Sequence, residues 1–406
     1  MRILNLLPYS PVPAIAGGPL RIYHLLRFMA RRHRVSVLFF GSPQEARETG
    51  DSYAGALQEV HAVPLPRWRS PRWRRLGQVS AYLRRDSFSK TEARSSLMQK
   101  RIDTILRRDR FDLVQIEFPG MGFFRFDTGA AMILDAHNVE YDIHRRVAEA
   151  APSPLKRFWS NYEYETFYPQ EIEICRKKDA ILTTSNRDMS LLREDVPAVP
   201  MYVVPNGVDT SYFHNQGETT EPRSLVFTGA MNYTPNVDGV LYFLNDIFPL
   251  IQKVVPDVKV YIVGKSPVPQ LQERATQNIV VTGFVEDVRP YIQRSGVYIV
   301  PLRMGGGTRL KVLEALSMKR PIVATSIGCE GIDVVNGESV LIANDPQAFA
   351  DAVIRVMKDA IVRNKLVTNG YDLVHARYDW TVIGDLLDNV YGSIMTRGSI
   401  MTRKGL

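Results

Sequence analysis

The most constraining stretch of this sequence lies between residues 296 and 331, where an apolar run, three glycines and a helical pattern follow one another. Residues 297–300 are apolar and mostly β-branched, and Pro301 ends the run, which predicts a buried strand. Residues 305–307 are all glycine and allow positive φ and close approach to a ligand, while Thr308 can cap a helix. A glycine-rich turn that leads into a helix N-terminus is an anion site.

The first turn of this predicted helix carries two cations, Arg309 and Lys311, where the helix dipole favours acidic side chains. Either both side chains point into water, or an anion binds there, and we favour a phosphate or pyrophosphate. Glu314 follows Lys311 by three residues on the same face. It either forms an i,i+3 ion pair with Lys311 or accepts hydrogen bonds from sugar hydroxyls.

The length of 406 residues predicts two domains rather than one. A hydrophobic content of 45% with 23% charged residues is typical of a soluble globular protein. No apolar run reaches the roughly 18 to 20 residues of a membrane span, so we expect the protein to stay in the cytoplasm. Cys175 and Cys329 lie far apart and predict reduced thiols rather than a disulfide or zinc framework.

Much of the net charge of +8 lies in residues 67–85, a stretch without acidic residues in which Trp68, Trp73 and Tyr82 are interleaved with arginines. Arginine with tryptophan is typical of a surface that binds an anionic membrane, at about 1 kcal/mol per cation. A merely solvated basic surface and a nucleic-acid site are the alternatives, and we expect no nucleic acid. The seven arginines are Arg67, Arg69, Arg72, Arg74, Arg75, Arg84 and Arg85.

Short apolar runs alternate with helical patterns along the whole chain, and this predicts an α/β protein with two doubly wound parallel-sheet domains. The predicted strands of the first half are residues 3–7, 35–40, 113–117, 132–136 and 180–184. Those of the second half are residues 225–228, 258–263, 279–282, 297–300, 322–325 and 340–343, with helices over residues 240–255 and 348–362 between them. The turn signal Asn206-Gly207 separates the two series.

Two features of the first half fall at the carboxyl ends of predicted strands, where open α/β sheets bind ligands. Gly17 and Gly18 follow the first strand and precede a helix, although a plain tight turn explains them as well. His137 follows the fourth predicted strand and Glu117 ends the third. His137 is either a packed, hydrogen-bonded core residue or a group that faces a ligand.

Together these motifs resemble a known family by their order and spacing. They are the Gly17-Gly18 loop, Asp135-Ala-His137-Asn, Val204-Pro-Asn-Gly-Val-Asp209, Val226-Phe-Thr-Gly229, Val263-Gly264, Gly283-Phe-Val285, and the stretch from Gly305 to Glu314 followed by Pro321-Ile-Val-Ala-Thr. The chain resembles the retaining nucleotide-sugar glycosyltransferases of family four, which have the GT-B fold of two Rossmann-like domains facing across a cleft. The resemblance covers nearly the whole chain.

The resemblance implies transfer of a sugar from a nucleotide diphosphate, a UDP-sugar rather than a GDP-sugar, to a glycan or lipid-linked acceptor. It assigns the acceptor to a domain of residues 1–204 and the nucleotide sugar to residues 205–378. We expect a helix over residues 379–392 to pack back on the first domain, and a disordered tail over residues 393–406, where Gly-Ser-Ile-Met-Thr-Arg occurs twice. The protein is expected in the cytoplasm or on the inner face of the plasma membrane.

The resemblance also carries site residues, with two departures from the family pattern. Glu314 matches the second, ribose-binding glutamate of a Glu-x7-Glu motif, but the first falls on Gly306. The cations that commonly hold the pyrophosphate after the first strand of the second domain are missing after Gly229, so we assign that role to Arg309 and Lys311. The candidate catalytic residues are His137, Arg309 and Lys311. The candidate nucleotide-sugar-binding residues are Gly17, Gly18, Gly229, Val285, Gly305, Gly306, Gly307, Thr308 and Glu314.

We expect neither a metal nor another cofactor, since the sequence lacks the Asp-x-Asp by which metal-dependent transferases of another fold hold their ion. The cations and backbone amides of the glycine-rich helix would then stabilise the leaving diphosphate. Two alternatives are a nucleotide-sugar 2-epimerase of the same fold and a non-enzymatic basic protein that binds membrane or nucleic acid. The sequence leaves the sugar, the base, the acceptor, the linkage and the oligomeric state open.

Overall fold

The computed structural model describes residues 1–14, 17–149, 151, 153–217 and 220–404, with side chains up to residue 396. It divides into two compact units. The first contains Met1–Pro205 and the chain from Gly384 onward, and the second contains Asn206–Ile383. The predicted boundary after residue 204 differs from the observed one by a single residue.

The first unit is built on a parallel sheet of seven strands in the order β3-β2-β1-β4-β5-β6-β7. Five of these strands match the predicted ones, and their apolar runs are buried on both faces, as expected of a covered parallel sheet. Two strands were not predicted from the sequence: β3, a half-buried edge strand, and β7, which has only three residues. The strands are β1 (Arg2–Leu7), β2 (Arg34–Phe40), β3 (Glu59–Val63), β4 (Leu113–Glu117), β5 (Ala131–Ala136), β6 (Ala180–Thr183) and β7 (Met201–Val203).

Eight helices accompany this sheet between Gly17 and Asp195 in the described ranges. They are α1 (Gly17–Arg32), α2 (Pro43–Ser52), α3 (Pro71–Leu83), α4 (Phe88–Ala93), α5 (Ser96–Arg108), α6 (Glu140–Glu149), α7 (Pro154–Arg176) and α8 (Asn186–Asp195). The long helix α7 begins after Ser153, whose side chain accepts a hydrogen bond from the amide of Lys156. This is the capping role that serine commonly has at a helix N-terminus.

The second unit has a parallel sheet of six strands in the order β10-β9-β8-β11-β12-β13. All six match strands predicted from the sequence. They are β8 (Glu221–Thr228), β9 (Lys259–Val263), β10 (Ile279–Gly283), β11 (Ser295–Val300), β12 (Ile322–Ala324) and β13 (Leu341–Ile342). The prediction of two doubly wound α/β domains is therefore confirmed for both units.

The helices of the second unit are interrupted where the sequence analysis expected continuous ones. The helix predicted over residues 240–255 is two helices joined by a π-helical segment, Phe243–Ile247. The helix predicted over residues 348–362 is divided at Asp359, whose side chain caps the second piece by accepting from the amides of Ile361 and Val362. The helices are α9 (Thr234–Tyr242), α10 (Phe248–Val254), α11 (Pro269–Gln272), α12 (Arg289–Arg294), α13 (Leu310–Ser317), α14 (Pro346–Lys358) and α15 (Ala360–Arg377).

The last helix, α16 (Trp380–Lys404), packs on the first unit. The hydroxyl of Tyr391 lies 2.9 Å from the sulfur of Met29 and also hydrogen-bonds Gln115. The expectation of disorder from residue 393 is wrong as far as Lys404, and residues 405–406 lie outside the described residues. Ile394 is buried one turn after Val390, so the apolar face continues into the first of the two repeats.

Candidate functional site

The loops predicted to bind the nucleotide lie together at one edge of the second unit's sheet. Strands β10, β9, β8 and β11 are neighbours in that order. Gly283 ends β10, Gly264 follows β9, Gly229 follows β8, and the glycine loop of residues 305–307 follows β11. Because the strands are parallel, these loops share the carboxyl-end edge of the sheet, where open α/β sheets bind their ligands.

Lys311 is held against the turn that follows β8. Its Nζ donates a hydrogen bond to Oδ1 of Asn236 at 3.0 Å and lies 3.9 Å from the ring centroid of Phe227. A Cβ atom on Gly229 would lie 2.9 Å from Nζ of Lys311. A Cβ atom on Gly264 would lie 1.7 Å from the carbonyl oxygen of Gly229. Both glycines are thus required by close approach, since Gly229 leaves room for the amine and Gly264 leaves room for the backbone of Gly229.

Asn236 is a part of this arrangement that the sequence analysis did not identify. Its Nδ2 donates to the carbonyl oxygen of Ala230 at 3.0 Å, which orients Oδ1 toward the lysine. The side chain is 7% exposed. The available signal was a polar residue in the first turn of the helix that follows the β8 glycine.

Lys311 and Glu314 both have pKa values displaced toward neutrality. Burial lowers the pKa of Lys311 to about 7, the carboxylate of Glu314 opposes this, and the positive charge of Arg309 adds to it. Burial likewise raises the pKa of Glu314 to about 7, with Lys311 opposing. A bound anion would favour the protonated form of Lys311, so its charge is coupled to ligand binding.

Within the described ranges, no hydrogen bond or ion pair joins Lys311 to Glu314. The amine is bound to Asn236, and the carboxylate of Glu314 has no hydrogen-bond or ion-pair partner among the described side chains and backbone groups. The reading of these two residues as an ordinary i,i+3 ion pair is therefore wrong. A partly exposed carboxylate in this position can accept hydrogen bonds from a ligand.

The glycine loop has the backbone conformation that its sequence predicts, but Arg309 has a different contact. Gly305 and Gly307 adopt left-handed φ values of 113° and 76°. The guanidinium of Arg309 donates to the carbonyl oxygen of Gly306 at 2.7 Å and to that of Ile327 at 3.1 Å. Arg309 is 7% exposed. The Arg309 side chain therefore hydrogen-bonds the backbone of the glycine loop and does not extend from the helix toward water.

Thr308 does not cap the helix, contrary to expectation. Helix α13 begins at Leu310, and Arg309 occupies the N-cap position without a side-chain cap. The hydroxyl of Thr308 is buried and has no hydrogen-bond partner among the described residues. A capping side chain must come from the residue directly before the first helical one, and Thr308 lies one residue too early.

Val285 is partly buried in the loop after β10 and packs against the core of the second unit. The residue before it, Phe284, is 73% exposed. The predicted contact between the backbone of Val285 and a base stays a prediction.

In the first unit, the glycine pair lies directly beside a tyrosine. Gly17 begins α1, and a Cβ atom on Gly18 would lie 2.3 Å from the hydroxyl of Tyr9. Burial is the main cause that raises the pKa of this tyrosine above its usual range, so it stays a neutral donor. Gly18 therefore leaves room for a polar group at the carboxyl end of β1.

His137 is buried and hydrogen-bonded to Glu117. The distance from Nε2 of His137 to Oε2 of Glu117 is 2.6 Å, and the two side chains are 4% and 1% exposed. Burial lowers the pKa of His137 to about 3, so the imidazole is neutral. Burial also raises the pKa of Glu117, opposed first by the hydrogen bond from Gln115. The two residues end neighbouring strands, as the sequence analysis expected.

Phe118, which follows Glu117, has a strained backbone. Its φ is 67°, a left-handed value that costs a bulky residue about 1 to 3 kcal/mol. Its ring lies 3.9 Å from the ring of His137, centroid to centroid, with an interplanar angle of 31°. Such strain is common at functional sites, where it holds a side chain in a required position. Here the ring of Phe118 packs against the imidazole and restricts its rotation.

Arg21 and Asp135 form a buried ion pair beside the histidine. Nε and Nη2 of Arg21 donate to the two carboxylate oxygens of Asp135 at 3.1 Å and 3.0 Å. Nη1 of Arg21 donates to the carbonyl oxygen of Pro205 at 2.9 Å. The nearer carboxylate oxygen of Asp135 is 3.9 Å from Nε2 of His137. Breaking such a pair on one side costs about 3 to 5 kcal/mol because a buried charge loses its partner.

The buried network extends to the C-terminal helix. Nε2 of Gln115 donates to Oε1 of Glu117 at 2.7 Å, and the hydroxyl of Tyr391 donates to Oε1 of Gln115. Three hydrogen bonds therefore connect Tyr391 on α16 with His137 at the end of β5. This connection could not be predicted from the sequence, because Tyr391 is 276 residues from Gln115.

Two sequence models of known families match this chain. One, described as Glycosyltransferase Family 4, covers residues 15–212, and the other, described as Glycosyl transferases group 1, covers residues 222–359. The chain belongs to the glycosyltransferases of family four. The resemblance inferred from the sequence is thereby confirmed.

Curated relatives of this family-four protein match it over part of their length. An uncharacterised 44.6 kDa protein in the cps region of Klebsiella pneumoniae is 24% identical over 258 residues, which are 61% of this chain and 65% of that protein. The phosphatidyl-myo-inositol mannosyltransferase of Mycobacterium leprae is 27% identical over 207 residues, or 48% of this chain and 54% of that enzyme. The chain thus spans less than two thirds of either relative.

Solved structures resemble this family-four protein over nearly its whole length. Sucrose-phosphate synthase from Thermosynechococcus elongatus has a TM-score of 0.69 at 15% identity, covering 98% of this chain and 100% of the other. HepE of Anabaena, in complex with UDP, has a TM-score of 0.68 at 12% identity, covering 97% and 100%. These likenesses establish the fold, two Rossmann-like domains of the GT-B class.

Among the described residues of this family-four protein, one group of side chains is close enough to hold a metal ion. Glu117, Asp135 and His137 each offer a ligand atom within 4.8 Å of the others. The guanidinium of Arg21 already binds both oxygens of Asp135, and its positive charge opposes a second cation there. The group fits an ion-pair network better than a metal site.

Proposed function

We propose that this protein is a retaining glycosyltransferase that transfers a hexose from a nucleotide diphosphate to a glycan or lipid-linked acceptor. The observation that carries the proposal is the placement of Lys311. Its amine is held by Asn236 against Gly229, at the sheet edge where the predicted nucleotide loops meet. A cation fixed there suits a nucleoside diphosphate, as does the carboxylate of Glu314 one turn later, which has no partner among the described residues.

Lys311 would stabilise the leaving diphosphate. Negative charge grows on the leaving group as the glycosidic bond to phosphate breaks, and a preorganised cation lowers the energy of that state. Burial lowers the pKa of Lys311 to about 7. A bound diphosphate would raise this pKa again, so the diphosphate should bind more tightly at a pH where Lys311 is protonated. Glu314 would accept hydrogen bonds from the ribose hydroxyls.

Arg309 would act on the diphosphate through the glycine loop. Its contacts with Gly306 and Ile327 hold the loop backbone, whose amides would face the phosphates. This changes the role assigned from the sequence, where Arg309 neutralises the diphosphate directly. The buried position and the two carbonyl contacts support a positioning role.

His137 would bind a hydroxyl of the transferred sugar through Nδ1. Its Nε2 is engaged by Glu117, and Phe118 packs against the ring. The imidazole is neutral because its pKa is lowered to about 3, so it contributes a hydrogen bond rather than a charge. Gly17, Gly18 and the hydroxyl of Tyr9 would bind the same part of the substrate.

A UDP-sugar is the proposed donor, and no metal is proposed. HepE, a structural relative, has been solved with UDP and with UDP-glucose, while the mycobacterial relative is named a mannosyltransferase. Lys311 would supply the positive charge that metal-dependent transferases obtain from a metal ion bound to the diphosphate. The protein is proposed to act in the cytoplasm on an acceptor that is a glycan or carries a lipid. Within the described ranges, no helix is long and apolar enough to cross a membrane.

The test is incubation with UDP-sugars and GDP-mannose in the presence of a chelator, followed by proton NMR of the products. The proposal predicts release of UDP and a product whose anomeric configuration matches that of the donor. An inverted anomeric configuration would contradict the retaining mechanism, and dependence on added divalent cation would contradict metal independence. Conversion of the donor to its C2 epimer without acceptor would identify the protein as an epimerase instead.

A further inference from the structure

Helix α3 places its large apolar side chains outward. Leu76, Val79 and Leu83 lie at i, i+3 and i+7, along one side of the helix, and are 55%, 48% and 76% exposed. The opposite side carries Gly77 and Ala81, which are buried. A surface helix normally buries its apolar stripe, so this helix has an apolar face that no described residue of the first unit covers.

The first two turns of α7 extend that apolar surface. Leu155 and Phe158 are 69% and 50% exposed. Tyr82, on α3, has its ring centroid 6.3 Å from that of Phe158 and 5.1 Å from that of Tyr162. The exposed side chains of two helices therefore form one continuous surface.

The same surface is strongly cationic. Six of the seven arginines in residues 67–85 are exposed, and none of the six forms an ion pair in the described part of the chain. Arg69 differs from the expectation, since it is half-buried and donates to the carbonyl oxygen of Pro8 at 2.5 Å. Lys156 and Arg157 add two exposed cations on α7.

The acidic side chains nearest to this surface are already engaged. Asp86 forms ion pairs with Lys90 and Arg94. Glu163 accepts hydrogen bonds from the amides of Phe88 and Ser89. Glu92 interacts electrostatically with Arg69 and Arg74. The other exposed arginines of residues 67–85 form no ion pair in the described part of the chain, so the surface keeps a net positive charge that an anionic partner can compensate.

We propose that α3 and the first two turns of α7, the basic apolar face, dock on an anionic lipid bilayer. Exposed leucine, valine and aromatic side chains beside guanidinium groups match the interface of such a bilayer, where apolar groups enter the acyl boundary and cations meet phosphate headgroups. Two arginines lie over indole rings, Arg67 on Trp68 at 4.2 Å and Arg72 on Trp73 at 5.9 Å. The inference deepens the proposed function, since a lipid-linked acceptor would be met at this surface.

The experiment measures binding of the full chain to vesicles of phosphatidylcholine alone and with about a third of phosphatidylglycerol. We expect binding to the anionic vesicles only, weakening steeply with salt. Leu76→Ser with Leu83→Ser should lower the affinity at least tenfold while the salt dependence remains. Arg72→Gln with Arg75→Gln, Arg84→Gln and Arg85→Gln should abolish the preference for anionic vesicles.

The matched controls change exposed residues that lie outside the basic apolar face. Ile361→Ser changes an apolar side chain that is 83% exposed in the second unit, and Arg101→Gln with Arg107→Gln changes two exposed arginines on α5. Both controls should bind vesicles like the wild type.

Three outcomes overturn the proposal: equal binding to neutral and anionic vesicles, absence of binding to both, or an apolar pair variant that binds normally. Association with single-stranded RNA in preference to vesicles would assign the face to nucleic acid, and self-association that the leucine variants abolish would assign it to a second copy. UDP binding, measured on the same samples, reports the proposed function separately, so the two proposals can fail independently.

Discussion

The imidazole of His137 and the carboxylate of Glu117 share a buried hydrogen bond of 2.6 Å, and this contact decides what the histidine can offer a substrate. When Glu117 is ionised, Nε2 of His137 carries the proton and Nδ1 is an acceptor. When Glu117 is protonated, it donates to Nε2, and Nδ1 carries the proton as a donor. Gln115 donates to Glu117 and thereby favours the ionised form.

The first prediction concerns pH and the pair of His137 and Glu117. Because burial raises the pKa of Glu117, the ionised form should be lost at a higher pH than for an ordinary glutamate as the pH falls. The turnover number should fall with it, since Nδ1 then no longer accepts from a sugar hydroxyl. Glu117→Gln should remove this acidic limb from the profile of kcat against pH. An unchanged limb in the variant would assign it to another group.

A second prediction tests His137 itself. His137→Ala should lower kcat about ten- to a hundredfold, the loss expected for one substrate hydrogen bond of about 1.5 to 3 kcal/mol, while the Kd for UDP changes little. Steady-state kinetics and calorimetric titration with UDP measure the two quantities. Full activity in a folded variant would support the simpler view of His137 as a core residue.

The third prediction concerns Tyr391, which acts through Gln115 and Glu117. Tyr391→Phe removes the hydroxyl that binds Gln115 and should shift the acidic limb of the kcat profile, because the hydrogen bonds to Glu117 change. The Kd for UDP should stay the same. Asn389→Ala changes an exposed side chain of the same helix and serves as the control. If Tyr391→Phe lowers only the thermal stability and leaves the profile in place, Tyr391 is merely structural.

A fourth prediction separates Arg309 from Lys311. Arg309→Ala removes the contacts with Gly306 and Ile327, so it should lower the free energy of unfolding by about 1 to 3 kcal/mol and weaken UDP binding as well. Lys311→Met should weaken UDP binding without lowering stability, because it removes a buried amine whose pKa is already lowered. Denaturant unfolding and calorimetry distinguish the two. If Arg309→Ala and Lys311→Met lowered the free energy of unfolding equally, the two residues would not have the separate roles assigned to them.

The sequence predicted most strands of both sheets because they are short, apolar and β-branched. It predicted the loops because Gly229, Gly264 and residues 305–307 follow such strands, where a glycine indicates close approach of the backbone. It could not predict Asn236 or Tyr391, since their roles depend on partners distant in the chain. The contacts of Arg309 with the carbonyl oxygens of Gly306 and Ile327 could not be predicted for a related reason, because the fold brings those oxygens to it. Its part in binding the diphosphate stays a prediction.

The most direct test of the central claim is calorimetric titration of UDP with a chelator present, over a range of pH. We expect UDP to bind without metal and its affinity to fall as the pH rises above about 7, because free Lys311 loses its proton there and the diphosphate requires the charged form. In Lys311→Met the affinity should be about ten- to a hundredfold lower near neutral pH and should lack this alkaline limb, whereas Glu314→Gln should weaken binding but keep the limb. Binding of UDP that is unchanged in Lys311→Met, or that requires a divalent cation, would contradict the account.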